Sequence, residues 1–147
     1  ITIAQSMQAS FAQGGVKVDL LPAAGSQVYA RVRAKQHQAA IRLWIPDYFD
    51  AHSNASAFAW NDGKSSTVAG LNGWKIPELT KATLAAVAEP DPAKRLDLYT
   101  KMQQELQHNS PYVFVDQGKT QIVVRDNVKG YQQGLNADMV WYDRVTK

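Results

Sequence analysis

Trp44, Asp47, Tyr48, Asp50 and His52 crowd into one short stretch of the chain. An indole face beside a carboxylate can hold a small organic cation, such as the ammonium of an amino acid or peptide. The stretch reads Leu43-Trp44-Ile45-Pro46-Asp47-Tyr48-Phe49-Asp50 and closes an apolar run over residues 39–45. Such a run, ending in aromatic and acidic residues, reads as a buried strand that delivers Trp44 and Asp47 to its C-terminal edge. Ligands of open α/β sheets sit at that edge. The plainer alternative is that Asp47 caps a turn beside Pro46 and that Trp44 is core. Asp47, Asp50 and His52 together also allow a metal or acid–base site, set against a loop that is merely hydrogen-bonded.

The elements that must position these residues follow from periodicity. Ile3, Ala4, Met7 and Phe11 keep helical spacing, and Gly14-Gly15 stops the helix. Val16, Val18 and Leu20 alternate with Lys17 and Asp19, which predicts a strand. Ser26 is the expected N-cap of a second helix with Val28, Tyr29 and Val32 inward. With residues 39–45 as the next strand, the pattern is a βαβ unit of two parallel neighbours. Residues 46–73 lose both periodicities and read as a long packed loop, over a ligand cleft or over a sheet edge. Pro77 and Glu78 open a third helix whose apolar side is Leu79, Leu84, Val87 and Ala88. Asp91 caps a fourth, with Pro92 at its first position and Leu96, Tyr99, Met102 and Leu106 as the buried stripe. Residues 112–116 and 120–125 read as a possible hairpin around Gly118-Lys119. Beyond Asn127 only turns and short extended pieces are expected, among them Asn136-Ala137-Asp138.

Bulk properties narrow the function classes. A chain of 147 residues with 45% hydrophobic and 20% charged residues is one ordinary globular domain in size. The net charge is only +3, with no basic run, so no nucleic-acid partner is expected. There is no cysteine, hence no disulfide framework and no thiolate metal site. No Gly-rich phosphate loop is present, since Gly14-Gly15 ends a helix instead of opening one. His37 is expected at a strand start and His108 near a helix end, where it meets the helix dipole. The chain opens at Ile1 without Met, which reads as a piece of a longer protein.

Four motifs then line up in order. Ile3-Ala4-Gln5-Ser6-Met7-Gln8-Ala9 leads to Gly15-Val16-Lys17-Val18. Trp44-Ile45-Pro46-Asp47-Tyr48 with Asp50 has the form W-x-x-D-Y. Glu89-Pro90-Asp91-Pro92-Ala93-Lys94-Arg95 with Leu98-Tyr99 has the form D-P-x-x-R-x-x-L-Y. Ser110-Pro111-Tyr112-Val113-Phe114-Val115 and Val128-Lys129-Gly130-Tyr131 complete the set. In this the chain resembles the C-terminal part of peptide-type solute-binding proteins of bacterial ABC importers, the group of oligopeptide and dipeptide binders. Arg42-Leu43 where that family often has Gly, Gln38 in place of an acid, and Ala51 in place of Pro are departures.

The resemblance implies an α/β fold: one lobe of a two-lobed (type II) periplasmic binding protein, with a parallel-dominated sheet flanked by helices. Residues 1–127 would form the C-terminal ligand-binding lobe. Residues 128–147 would return to pack on an N-terminal lobe that this chain lacks. The implied function is non-enzymatic: a periplasmic or lipid-anchored extracytoplasmic protein captures a small peptide or other amine-bearing solute between two lobes and passes it to the ABC permease. No cofactor or metal is implied. Asp47 takes the position of the carboxylate that binds the ligand's ammonium and Trp44 that of the pocket-lining indole, with Pro46 and Tyr48 beside them.

Overall fold

The computed structural model describes residues 1–134 and 139–147; the turn expected at Asn136-Ala137-Asp138 lies outside them. Six α-helices form among the described residues: α1 (Thr2–Gln13), α2 (Gly25–Arg33), α3 (Ala51–Phe58), α4 (Val68–Leu71), α5 (Pro77–Ala88) and α6 (Pro92–Asn109). A 3₁₀ turn follows at Tyr142–Arg144. The structure is 46% helix and 3% strand, with no sheet among the described residues. This overturns the expected α/β lobe and its parallel βαβ unit. Residues 16–20, 39–45, 112–116 and 120–125 form neither helix nor ladder. Antiparallel pairing is confined to single bridges, Lys129 with Thr146 and Gln133 with Val140. The physical reason is that β-branched alternation expresses a preference which only a paired neighbour realises. Among the described residues no segment pairs with these stretches, and Val123 stands 96% exposed.

Contacts divide the chain into two units, residues 1–43 and 44–147. In the first, α1 ends where the Gly14 and Gly15 amides bond back to the carbonyls of Phe11 and Ala12. Gly15 then takes φ +79°, a conformation glycine adopts without Cβ strain. The Gln8 amide donates to the Val18 carbonyl at 2.6 Å and ties α1 to the segment after it. α2 starts two residues earlier than expected, with Ala24 at the N-cap, so Ser26 is not the cap. Val32 is buried as expected, whereas Tyr29 lies exposed between two cations, the guanidinium groups of Arg33 and Arg42, each 4.6 Å from its ring centroid.

The core of the second unit is a helical assembly. Asp91 caps α6 by accepting from the Lys94 amide at 2.9 Å, and Pro92 fills the first helical position, as the sequence predicts. The short turn before it lets α6 fold back on α5. Leu79, Thr83 and Ala86 of α5 meet Tyr99, Met102 and Leu106 of α6, with Ala55 and Ala59 packed against them. Thr83 is buried because its hydroxyl donates to the Leu79 carbonyl at 2.8 Å, one turn back in its own helix.

Two stripes therefore differ from expectation. Leu84 and Val87 point away from the core, as does Leu96, which is 69% exposed. Ala86 and a satisfied Thr83 let α5 and α6 approach around Leu79, Tyr99, Met102 and Leu106, which are buried as expected, while Leu84, Val87 and Leu96 lie outside the contact.

The stretch expected to be one long loop contains α3 and α4. Asp50 caps α3 through the His52 amide, and Thr67 caps α4 through the Gly70 amide. The remaining loop is tied together by Asn61. Its amide group donates to the Trp74 carbonyl, its backbone N–H donates to the Thr80 hydroxyl, and its side-chain oxygen accepts from Gly63. Glycine is required at position 70, where a Cβ would come within 2.3 Å of the Ser65 carbonyl oxygen.

This packing yields a contrast between two leucines on one helix. Leu79 is 1% exposed and Leu84 is 55% exposed. Leu79→Ala should cost about 2–5 kcal/mol in urea unfolding, and Leu84→Ala should stay within about 0.5 kcal/mol. Equal losses would mean that α5 buries the face its large apolar residues suggest.

Candidate functional site

Residues 44–50 enter α3, and their side chains have unequal surroundings. The Trp44 indole packs edge-on against Phe58 at 5.1 Å between ring centroids. Its Nε1 donates to the Asn54 side-chain oxygen at 2.9 Å. Phe58 is one turn beyond Asn54 on α3, so a single helix fixes both the plane and the edge of the indole. Phe58 in turn meets Tyr112 and Phe114, and Tyr112 meets Trp74. Burial pushes the Tyr112 hydroxyl up to about 12. Trp44 is thus the outer member of an aromatic cluster and keeps 39% of its surface open. Trp44 therefore touches the core through Phe58 and presents a face to solvent, so it is not the buried core residue of the plainer reading.

The two aspartates differ more sharply. Asp47 is exposed, and no donor or cation among the described residues engages its carboxylate. Asp50 is fully engaged. Arg95 donates to it with two parallel bonds, Nη1 to Oδ2 at 3.0 Å and Nη2 to Oδ1 at 2.7 Å. The His52 backbone N–H adds a third at 2.7 Å. Bidentate geometry of this kind is the strong form of an arginine–carboxylate bond. The turn-capping role considered for Asp47 therefore belongs to Asp50. The arginine is braced in turn by Tyr99, whose hydroxyl accepts from Nη2 at 3.3 Å and whose ring lies 4.8 Å below the guanidinium.

Pro46 is half-buried and Tyr48 exposed, the latter accepting a bond from the Asp50 amide at 3.0 Å. His52 is half-buried beside the Asp50 cap. Asp50 is committed to Arg95, and no group of three His, Asp or Glu side chains among the described residues is placed to hold a metal ion. The metal alternative on Asp47, Asp50 and His52 gains nothing from this geometry. His108 ends its helix with Nδ1 2.8 Å from the Gln104 carbonyl oxygen, a local contact of the kind expected there. A groove of about 280 Å³ lies beside Arg95, lined by Ala51, Pro90, Pro92, Leu96 and Tyr99. Neither Trp44 nor Asp47 lines it.

Two residues that hold this site were not assigned to it from sequence, Asn54 and Arg95. Arg95 stood within the D-P-x-x-R motif, but its partner lies 45 positions away in the chain. Comparison with protein-family models, curated proteins and solved structures returns no match to this chain.

The Arg95 hydrogen bonds, followed by the His52 amide, hold the Asp50 carboxyl below its ordinary value of 3.8. A depressed carboxylate stabilises the fold above the unfolded-state value and loses that contribution as pH falls through the folded-state value. The Asp50 tie is therefore complete at neutral pH and lost only below about pH 3.8. Carboxyl-carbon NMR should find Asp50 titrating below 3.8, with Arg95→Gln returning it toward that value. An Asp50 midpoint at or above 3.8 in the parent would show that the pair does not form in solution.

Proposed function

We propose that this chain belongs to the extracytoplasmic solute-binding component of a bacterial ABC importer and that Asp47 receives the ammonium of a small peptide or other amine-bearing solute. The observation that carries the reading is the unequal fate of two neighbouring aspartates. Asp50 is consumed by Arg95, while Asp47, three positions after an indole held in place by Asn54 and Phe58, is exposed and has no hydrogen bond or ion pair to its carboxylate among the described residues. A free carboxylate three residues along from a fixed aromatic face suits a primary ammonium, which brings three donors and a charge. The four ordered motifs add the importer context: a periplasmic setting, a permease that receives the solute, and a further lobe of the same protein. The helical fold lends this reading no support, so it rests on the motifs and on Asp47.

The reading separates charge from shape. Asp47→Asn keeps size and one acceptor but removes the charge. It should weaken binding of unblocked trialanine at least tenfold in calorimetry, about 1.4 kcal/mol or more. N-acetyl-trialanine should bind the parent as weakly as trialanine binds the variant, because acetylation deletes the same charge from the other side. Helix content and unfolding midpoint should not change, since Asp47 is exposed and unpaired. If the variant and the acetylated peptide both bind as tightly as the parent pair, Asp47 is not an ammonium site.

A further inference from the structure

Residues 44–50 form a strap that is neither helix nor ladder, and it is tied down at its two ends. At one end the Trp44 indole is bonded to Asn54 and packed on Phe58, both on α3. At the other, Asp50 is gripped by the two guanidinium nitrogens of Arg95, on the first turn of α6. Between the ties, the backbone hydrogen bond among the described residues runs from the Asp50 N–H to the Tyr48 carbonyl. Among the described residues no hydrogen bond or ion pair fixes the Asp47 carboxylate, which leaves the ends of the strap to decide where it stands.

We infer that Arg95 is a positioning residue for Asp47: by holding Asp50 to α6 it stretches the strap between two helices and fixes the direction in which the Asp47 carboxylate faces. This rests on the reading of Asp47 as the ammonium site. Arg95 does not touch the ligand in this account. Its fork is what matters, because two parallel bonds set the angle of Asp50 as well as its distance, which a lysine ammonium cannot do. The Tyr99 hydroxyl and ring brace the guanidinium from α6 itself, so the fork is held before the strap meets it.

The sign of the effect tells positioning from simple charge. Removing Arg95 deletes a cation and uncovers the Asp50 carboxylate. By Coulomb's law alone both changes favour an incoming ammonium, so binding would tighten. Loss of positioning predicts the opposite, because a misdirected carboxylate loses the pre-set geometry of the bond. The cap of α3 is a separate bond, from the His52 amide to Asp50, and survives the loss of Arg95.

The test uses Arg95→Met, Arg95→Lys and, at the other end of the strap, Asn54→Ala, each compared with the parent chain. Amide order parameters of residues 47–49 report the strap directly without ligand, and calorimetry with trialanine and N-acetyl-trialanine reports the site. The expected result is higher mobility of residues 47–49 in all three variants, with trialanine bound about tenfold more weakly and helix content kept. Arg95→Lys should fall with Arg95→Met despite its retained charge. Unchanged order parameters in Arg95→Met would overturn the inference, as would tighter or equal trialanine binding in a variant whose strap is loose. A parent that binds both peptides equally would remove the Asp47 reading alone; the order parameters would still decide whether Arg95 holds the strap.

Discussion

The bidentate bond between Arg95 and Asp50 is the constraint on which the site depends. It joins a cap at the start of α3 to the first turn of α6, across 45 positions of chain. Its contribution to stability is small, because both side chains keep about a third of their surface in water, 29% for Arg95 and 34% for Asp50. Pairs of that kind contribute on the order of 0–1 kcal/mol. The burial of Leu79, Tyr99, Met102 and Leu106 is worth several times more, at roughly 1.5–3 kcal/mol for each large apolar side chain. The core therefore holds α5 and α6 together, and the ion pair sets a direction. By occupying Asp50 it also leaves Asp47 as the open carboxylate of the strap.

The helices were legible wherever a cap, a stop and a stripe agreed. α1, α5 and α6 lie close to where Gly14-Gly15, Pro77 and Asp91-Pro92 put them, and α2 covers Val28, Tyr29 and Val32 although Ser26 does not cap it. Their inner faces were less legible. Leu79, Tyr99, Met102 and Leu106 are buried as their spacing suggests, but Leu84, Val87 and Leu96 are large and apolar and still exposed, with Thr83 and Ala86 completing the α5 side of the contact. Threonine reads as polar in sequence, and only its bond to the Leu79 carbonyl makes burial cheap. α3 was missed for a related reason. Its inward residues, Ser53, Ala55 and Ala57, are small and produce no apolar period. The usable signal is Asp50, a good cap residue directly before Ala51.

The strands failed differently. Alternation over residues 16–20 and the apolar run over residues 39–45 are genuine local preferences, but a strand forms only when another segment takes up its N–H and C=O groups. Leu43, Val113 and Val123 remain exposed instead of lining a sheet. Local pattern carries no information on whether the partner segment is at hand. The site shows the same limit on a smaller scale. Asp47 and Asp50 look alike in sequence, and what distinguishes them is a side chain on a distant helix.

The central claim is that one of these two carboxylates is open to a cation and the other is not. Carboxyl-carbon NMR of the protein titrated with trialanine tests it atom by atom. The account predicts a saturable shift of the Asp47 carboxyl resonance, absent with N-acetyl-trialanine, while the Asp50 resonance stays in place. A shift at Asp50 with none at Asp47, or saturable binding that moves neither carboxyl, would contradict it.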